Sequence, residues 1–279
     1  AFYGSAMNQR ASQRLGLEVA LKKAFREGEF VLYYQPRVDA EHRHVVALEA
    51  LLRWVSPSRG VVAPGEFIGV LEDTGMMNIV GEWVLRSACT QVSSWRAEGK
   101  APLRVSVNVS SVQAMSSDLC EAIRQILAGL GMPARGRAGQ DGHAHAGLHH
   151  AAGGLEVAHL EARGQPSLNY LRQLDVDVLK IDRSFVTDIA RNRRDQAVAI
   201  AIIELAKALD ITVVAEGVET EAQARFFSEA RCHELQGFLF CRPVPPEQLE
   251  SYLAATSKAG GDAGTTPRSG ARAGRLPAC

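Results

Sequence analysis

The feature that most constrains this chain is a repeated alternation of apolar, strand-like segments with amphipathic helical ones. FVLYYQPRV (30–38) reads as a strand ending at Pro36, and VVALEALLRW (45–54) as a second; LRVSVNVS, VDVLKID, TVVAEGV and GFLF continue the series. Between them lie segments with apolar residues at three-to-four spacing. NQRASQRLGLEVALKKAFREGE (8–29) precedes the first strand, and PGEFIGVLEDTGMMNIVGEWVLRSACTQVSSWRAEGK reads as one or two helices, with Pro64 suited to a first turn. SSDLCEAIRQILAGLG is a helix closed by Gly131, and SLNYLRQLD, RSFVTDIARNRRDQAVAIAIIELAKALD, TEAQARFFSEAR and PPEQLESYLAA are further helical stretches. Strands alternating with helices in this way imply βα units around a parallel sheet, and six strands in 279 residues favour a barrel over an open sheet.

Two regions break the rhythm. Residues 137–166 hold His143, His145, His149, His150 and His159; their first half has no apolar period, and GLEVAHLEARG (154–164) is compatible with a short helix. Residues 256–279, rich in Gly, Ala, Arg and Ser, read as a disordered tail.

Charge excludes some partners. Formal net charge is zero, which gives no basis for DNA, RNA or an anionic membrane held by bulk electrostatics. The longest uncharged apolar stretch is too short to span a bilayer. Five scattered cysteines with no CxxC pair suggest neither a zinc ribbon nor a disulfide framework, and fit a reducing cytoplasm.

In a βα barrel, chemistry gathers at the carboxyl ends of strands. Gln35, Glu49, Arg53, Asn108, Lys180, Asp182, Glu216, Glu219 and Gln236 all stand at or just beyond such ends. Acids and amides of this kind suit Mg²⁺ or Mn²⁺, and a lysine and an arginine suit a phosphate ester. Singly, each is more often a strand-end cap or a surface charge. Glu49 and Arg53 are the most pointed, because they interrupt the apolar run VVALEALLRW, where an unpaired charge is costly.

YYQP, ALEALLRW, PGEFI, VNVS, SLNYLRQLDVDVLKIDRSFV, VVAEGVET and QGFLFCRP, in that order, resemble the EAL family over roughly residues 14–136 and 167–253. That resemblance implies a cyclic-di-GMP phosphodiesterase on a modified TIM-like (β/α) barrel. Metal-activated water would open the cyclic dinucleotide to linear pGpG. It implies Glu49 and Asn108 as ligands to Mg²⁺ or Mn²⁺, Lys180 and Glu216 as catalytic groups, and Gln35, Leu51, Arg53 and Gln236 as substrate contacts. It also implies pairing between copies, and the opening residues 1–13 resemble the joint to an upstream GGDEF or sensor domain, with the EAL domain at 14–255.

The pattern is broken at 137–166. Where the family carries an E-x-T-E strand, RAGQDGHAHAGLHH offers neither glutamate nor strand. The later strand with its D-D-F-G aspartates is missing too. The resemblance therefore implies a barrel incomplete by two missing or rewritten strand segments, with impaired hydrolysis. Two alternatives stand beside this: a non-catalytic cyclic-di-GMP-binding or interaction module, and a decayed or frameshifted EAL sequence. Replacement of the lost ligands by the histidines is the weaker reading of HAHAGLHH.

Overall fold

A computed structural model describes residues 2–100, 104–110, 113, 119–131, 155–159 and 178–260. Helix α1 (Phe2–Arg26) leads into β1 (Phe30–Asp39), β2 (Val45–Ser56) and a short β3 (Gly60–Val62). Helices α2 (Pro64–Asp73) and α3 (Met76–Ala97) precede β4 (Arg104–Val109), α4 (Leu119–Gly129) and β5 (Leu155–His159). Then come β6 (Val178–Ile181), α5 (Arg183–Val186), α6 (Arg193–Ala208) and β7 (Thr212–Ala215). The series ends with α7 (Glu221–Glu229), β8 (Glu234–Gln236) and α8 (Pro246–Gly260).

The strand order is β5-β4-β2-β1-β8-β7-β6, with β3 on β2. Among the described residues this is an open path from β5 to β6, an incomplete (β/α) barrel. β6–β7 and β7–β8 are parallel, as the βα pattern requires. β1, however, meets β8 antiparallel, with Arg37 opposite Gln236 and Asp39 opposite Glu234, so the sheet is mixed rather than all parallel.

Several expected boundaries moved. β1 runs through Pro36 to Asp39, and its ladder with β8 begins at Arg37, one residue beyond the proline. GFLF is a turn, not a strand. A Cβ on Gly237 would lie 2.0 Å from the Val218 carbonyl oxygen, so the chain bends away at that point. Leu155–His159 is a strand where a short helix was expected; Leu155 and Val157 alternate with Glu156 and Ala158, a period of two. β3 was not anticipated, and Gly60 at φ 69° closes its hairpin. The expected helix SLNYLRQLD, the segment RAGQDGHAHAGLHH and residues 261–279 lie outside the described residues; α8 runs on to Gly260, into the stretch expected to be disordered.

The chain divides into two compact units. The first comprises residues 1–33, 50–102 and 107–174. In it α1 packs on α2, α2 on α3 and α3 on α4. Phe67 sits between Phe30 and Trp54, with ring centroids 5.8 and 6.2 Å away. The α2–α3 stretch divides at Gly75, whose φ of 71° a helix interior does not allow.

The second unit comprises residues 34–49, 103–106 and 175–279. Its core joins Val38, Ile181, Ile203, Val213, Val218 and Phe227, all below 2% exposed. Three of its helices, α5, α6 and α7, start on side-chain caps. Asp182 accepts from Ser184 N at 2.8 Å, and its carboxyl is held below its ordinary value by the Ser184 side chain first and the Ser184 backbone N–H second. Thr220 and Gln223 form a reciprocal capping box. Cys89 and Cys232 are free and buried, whereas Cys241 is disulfide-bonded, a bond the cysteine spacing did not suggest.

Candidate active site

Four of the sequence-predicted residues converge within the second unit through one hydrogen-bonded chain. Lys180 is on β6, Glu49 on β2, Gln236 on β8, and Glu216 follows β7. The Lys180 ammonium lies 2.6 Å from Glu49 Oε1 and 2.7 Å from Glu216 Oε1. Gln236 Nε2 donates to Glu49 Oε2 and, at 3.0 Å, to Gln35 Oε1. Gln35 Nε2 in turn donates to the carbonyl of Cys241 at 2.9 Å, bringing the fifth residue in and tying β1 to the turn after β8.

Backbone pairing sets this geometry. Lys180 opposes Val214 and Ile181 opposes Ala215, and Glu216 N donates to Ile181 O at 3.1 Å. The carboxylate after β7 is thereby held beside the lysine two residues back on β6. Beyond it, Gly217 at φ 72° turns the chain under Arg183, whose guanidinium bonds Glu219 at 2.7 Å.

Electrostatics follow from burial. Glu49 and Gln236 are 4% and 3% exposed. Burial alone would lower the Lys180 pKa, but the charges of Glu49 and Glu216 outweigh it and hold the ammonium above its ordinary value. Glu216 is raised: burial and the nearby Glu49 charge outweigh the pull of Lys180. The site therefore pairs a secured cation with a carboxylate of increased basicity.

A pair of divalent ions needs several free carboxylate oxygens. Here Glu49 Oε1 and Glu216 Oε1 face an ammonium, and Glu49 Oε2 faces an amide. Among the described residues no three His, Cys, Asp or Glu converge so as to hold a metal ion. As placed, these residues do not fit a metal pair; the cation between the carboxylates is Lys180.

Leu51 and Arg53 on β2 and Asn108 on β4 belong to the first unit. There Arg53 donates to Leu52 O at 2.8 Å and lies 5.9 Å over the Tyr33 ring, while Asn108 is exposed. Asp182, placed among the strand-end polar residues by the sequence, is a helix cap.

Sequence reasoning missed a second polar cluster on the same two strands. Arg37, wholly buried, lies 3.1 Å from Glu234, which Arg104 also contacts at 2.8 Å. Arg37 is two residues from Gln35, and Glu234 two from Gln236, so each pair shares a strand face. An arginine inside FVLYYQPRV was the available signal.

Strands carrying acid, lysine and amide groups, in an incomplete (β/α) barrel whose first strand meets the last antiparallel, define an EAL-type domain. The EAL domain family model matches residues 18–137 and 148–243, so the chain belongs to that family. The match resumes at 148, earlier than the motifs alone indicated. The chain is 36% identical over 264 residues to the bifunctional diguanylate cyclase/cyclic di-GMP phosphodiesterase MucR of Pseudomonas aeruginosa, covering 91% of this chain and 38% of MucR. It is also 36% identical over 266 residues to the cyclic di-GMP phosphodiesterase NbdA of the same organism, covering 91% of this chain and 34% of NbdA. Among solved structures it is similar to the MucR phosphodiesterase in complex with c-di-GMP, with TM-score 0.75 and 37% identity over 84% of this chain and 99% of that one. The chain thus spans well under half the length of these curated relatives. No described helix is long and apolar enough to cross a membrane.

Proposed function

We propose that this chain is a cyclic-di-GMP phosphodiesterase domain of the EAL type in which recognition of the dinucleotide persists and hydrolysis is impaired. The observation that carries the reading is the Lys180 ammonium bridging Glu49 and Glu216. Family membership and the named activity of the relatives support the substrate class.

In this reading Lys180 neutralises a phosphate oxygen as the ligand enters, which releases Glu216 as a proton acceptor for the attacking water. Gln35, Leu51, Arg53 and Gln236 contact the dinucleotide. By their motifs Glu49 and Asn108 would be the ligands to Mg²⁺ or Mn²⁺, but Glu49 already faces the ammonium. The family's metal pair would supply an activated water; the absence of E-x-T-E and D-D-F-G motifs from the sequence supports impairment. An upstream GGDEF or sensor domain joined through residues 1–13, and pairing of two copies, complete the proposal.

The test is calorimetry with cyclic-di-GMP together with chromatography of the products in Mg²⁺ or Mn²⁺. Saturable binding is expected, with linear product forming on the order of a hundredfold more slowly than with the MucR phosphodiesterase domain. Absence of binding, or turnover equal to that domain's, overturns the proposal.

A further inference from the structure

The amide of Gln223, in the first turn of α7, does more than a helix cap requires. Its Oε1 accepts from Glu219 N at 2.8 Å and from Thr220 N at 2.9 Å, which completes the capping box. Glutamate serves that box as well as glutamine. Yet Gln223 is buried, and its Nε2 donates to Val186 O at 3.2 Å and to Thr187 O at 3.0 Å, at the end of α5. A carboxylate would meet those two carbonyls with no hydrogen to donate. The choice of glutamine is therefore explained by α5, not by the cap.

The two segments so joined carry the lysine and one carboxylate of the polar cluster. α5 follows β6 directly, and Asp182 caps its start just beyond Lys180. Glu219 and Thr220 follow Glu216 across Gly217 and Val218. The roots of these two segments are tied by Glu216 N donating to Ile181 O at 3.1 Å, where Lys180 meets Glu216 at 2.7 Å. Gln223 ties their far ends. The Arg183–Glu219 ion pair spans the same gap, but both side chains are exposed and such a pair adds little.

We propose that Gln223 is a positioning residue for hydrolysis, holding the segments after β6 and β7 together so that the Lys180 ammonium and the Glu216 carboxylate stay in contact geometry around a bound phosphodiester. The proposal rests on the phosphodiesterase reading. The residues assigned to the dinucleotide, Gln35, Leu51, Arg53 and Gln236, stand on β1, β2 and β8, so loss of Gln223 falls on turnover more than on binding. A shift of about 1 Å in groups acting on reacting atoms costs up to about a hundredfold in rate.

The experiment is steady-state hydrolysis of cyclic-di-GMP by the full chain in Mn²⁺, comparing wild type with Q223M and Q223E from about pH 5 to about pH 8, around the ordinary glutamate range and above it. Thermal melts establish that each variant folds. At neutral pH kcat is expected to fall roughly tenfold to a hundredfold in both variants, with KM within about threefold of wild type. As pH falls, protonation gives the Q223E side chain an O–H to donate to the α5 carbonyls. Its kcat relative to wild type then climbs, while that of Q223M stays level. Where Q223M does not fold, the Q223E profile alone decides. Wild-type kcat in both variants, or equal losses in kcat and KM with no recovery of Q223E at low pH, overturns the positioning role and leaves the phosphodiesterase reading intact. Absence of linear product from wild type overturns both.

Discussion

The Lys180 ammonium lies 2.6 Å from the Glu49 carboxylate, across 131 residues of sequence. It meets Glu216 at 2.7 Å on its other side. One lysine therefore keeps two carboxylates from facing each other unshielded, and its removal has consequences for folding as well as chemistry.

Lys180→Met leaves those two carboxylates uncompensated. Breaking a buried pair by removing one partner is costly, and a loss of roughly 3 kcal/mol is expected in urea unfolding at neutral pH. Adding Glu49→Gln to Lys180→Met recovers part of it, since the repulsion goes with the charge. Additive losses in the double variant would contradict the bridge.

The pH dependence of stability follows from the two raised groups. Glu216 in the folded state holds its proton to higher pH than in the unfolded chain, so its contribution to stability falls as pH rises from its ordinary value of 4.5 through the raised one. Lys180 acts at the other end: its contribution is present in full below the ordinary value of 10.5 and is lost as pH rises through the higher folded one. Urea midpoints for wild type and Glu216→Gln should diverge with rising pH on the acid side, the wild type losing ground. Parallel curves would show that Glu216 titrates alike in both states.

Gly237→Ala and Gly217→Ala separate two kinds of crowding. At Gly237 the obstacle is Val218 backbone, 2.0 and 2.3 Å from the added carbon. At Gly217 it is the root of the Arg183 side chain, Cγ at 2.5 Å and Cβ at 2.9 Å, rather than main chain, joined by the strain of a φ of 72°. The second change is expected to cost about 1–2 kcal/mol in thermal melts. The first should cost more, since β8 and the loop after β7 must part.

Glu234→Gln tests the cluster on β1 and β8. Arg37 is wholly buried, so neutralising Glu234 removes the carboxylate charge 3.1 Å from its guanidinium. A loss of roughly 3 kcal/mol or more is expected. Arg104→Met removes a partly exposed partner and should cost about 1 kcal/mol or less. Equal losses in denaturant titrations would contradict this ranking.

The strands were legible because apolar runs with β-branched residues announce themselves, and the βα alternation fixed the fold class. Gln35, Glu49, Lys180, Glu216 and Gln236, which the structure brings together, drew notice because each is a polar residue within or just after such a run. What periodicity does not carry is pairing direction. The antiparallel meeting of β1 with β8 sets Arg37 beside Glu234, and nothing local in YYQPRV or HELQ reports it. GFLF misled because its composition is strand-like; only the approach of Val218 to Gly237 bends it. LEVAH misled in the opposite sense, since five residues are too few to separate a period of two from a helical one.

Lys180 supplies the cation that Glu49 and Glu216 hold. Titration of the full chain with Mn²⁺, followed by electron paramagnetic resonance of the free ion, tests it most directly. The wild type is predicted to show no stoichiometric uptake in the micromolar range, and Lys180→Met, if folded by its melt, to bind Mn²⁺ more tightly than wild type. Tight uptake of two Mn²⁺ per wild-type chain, undiminished by Glu49→Gln, would contradict the account.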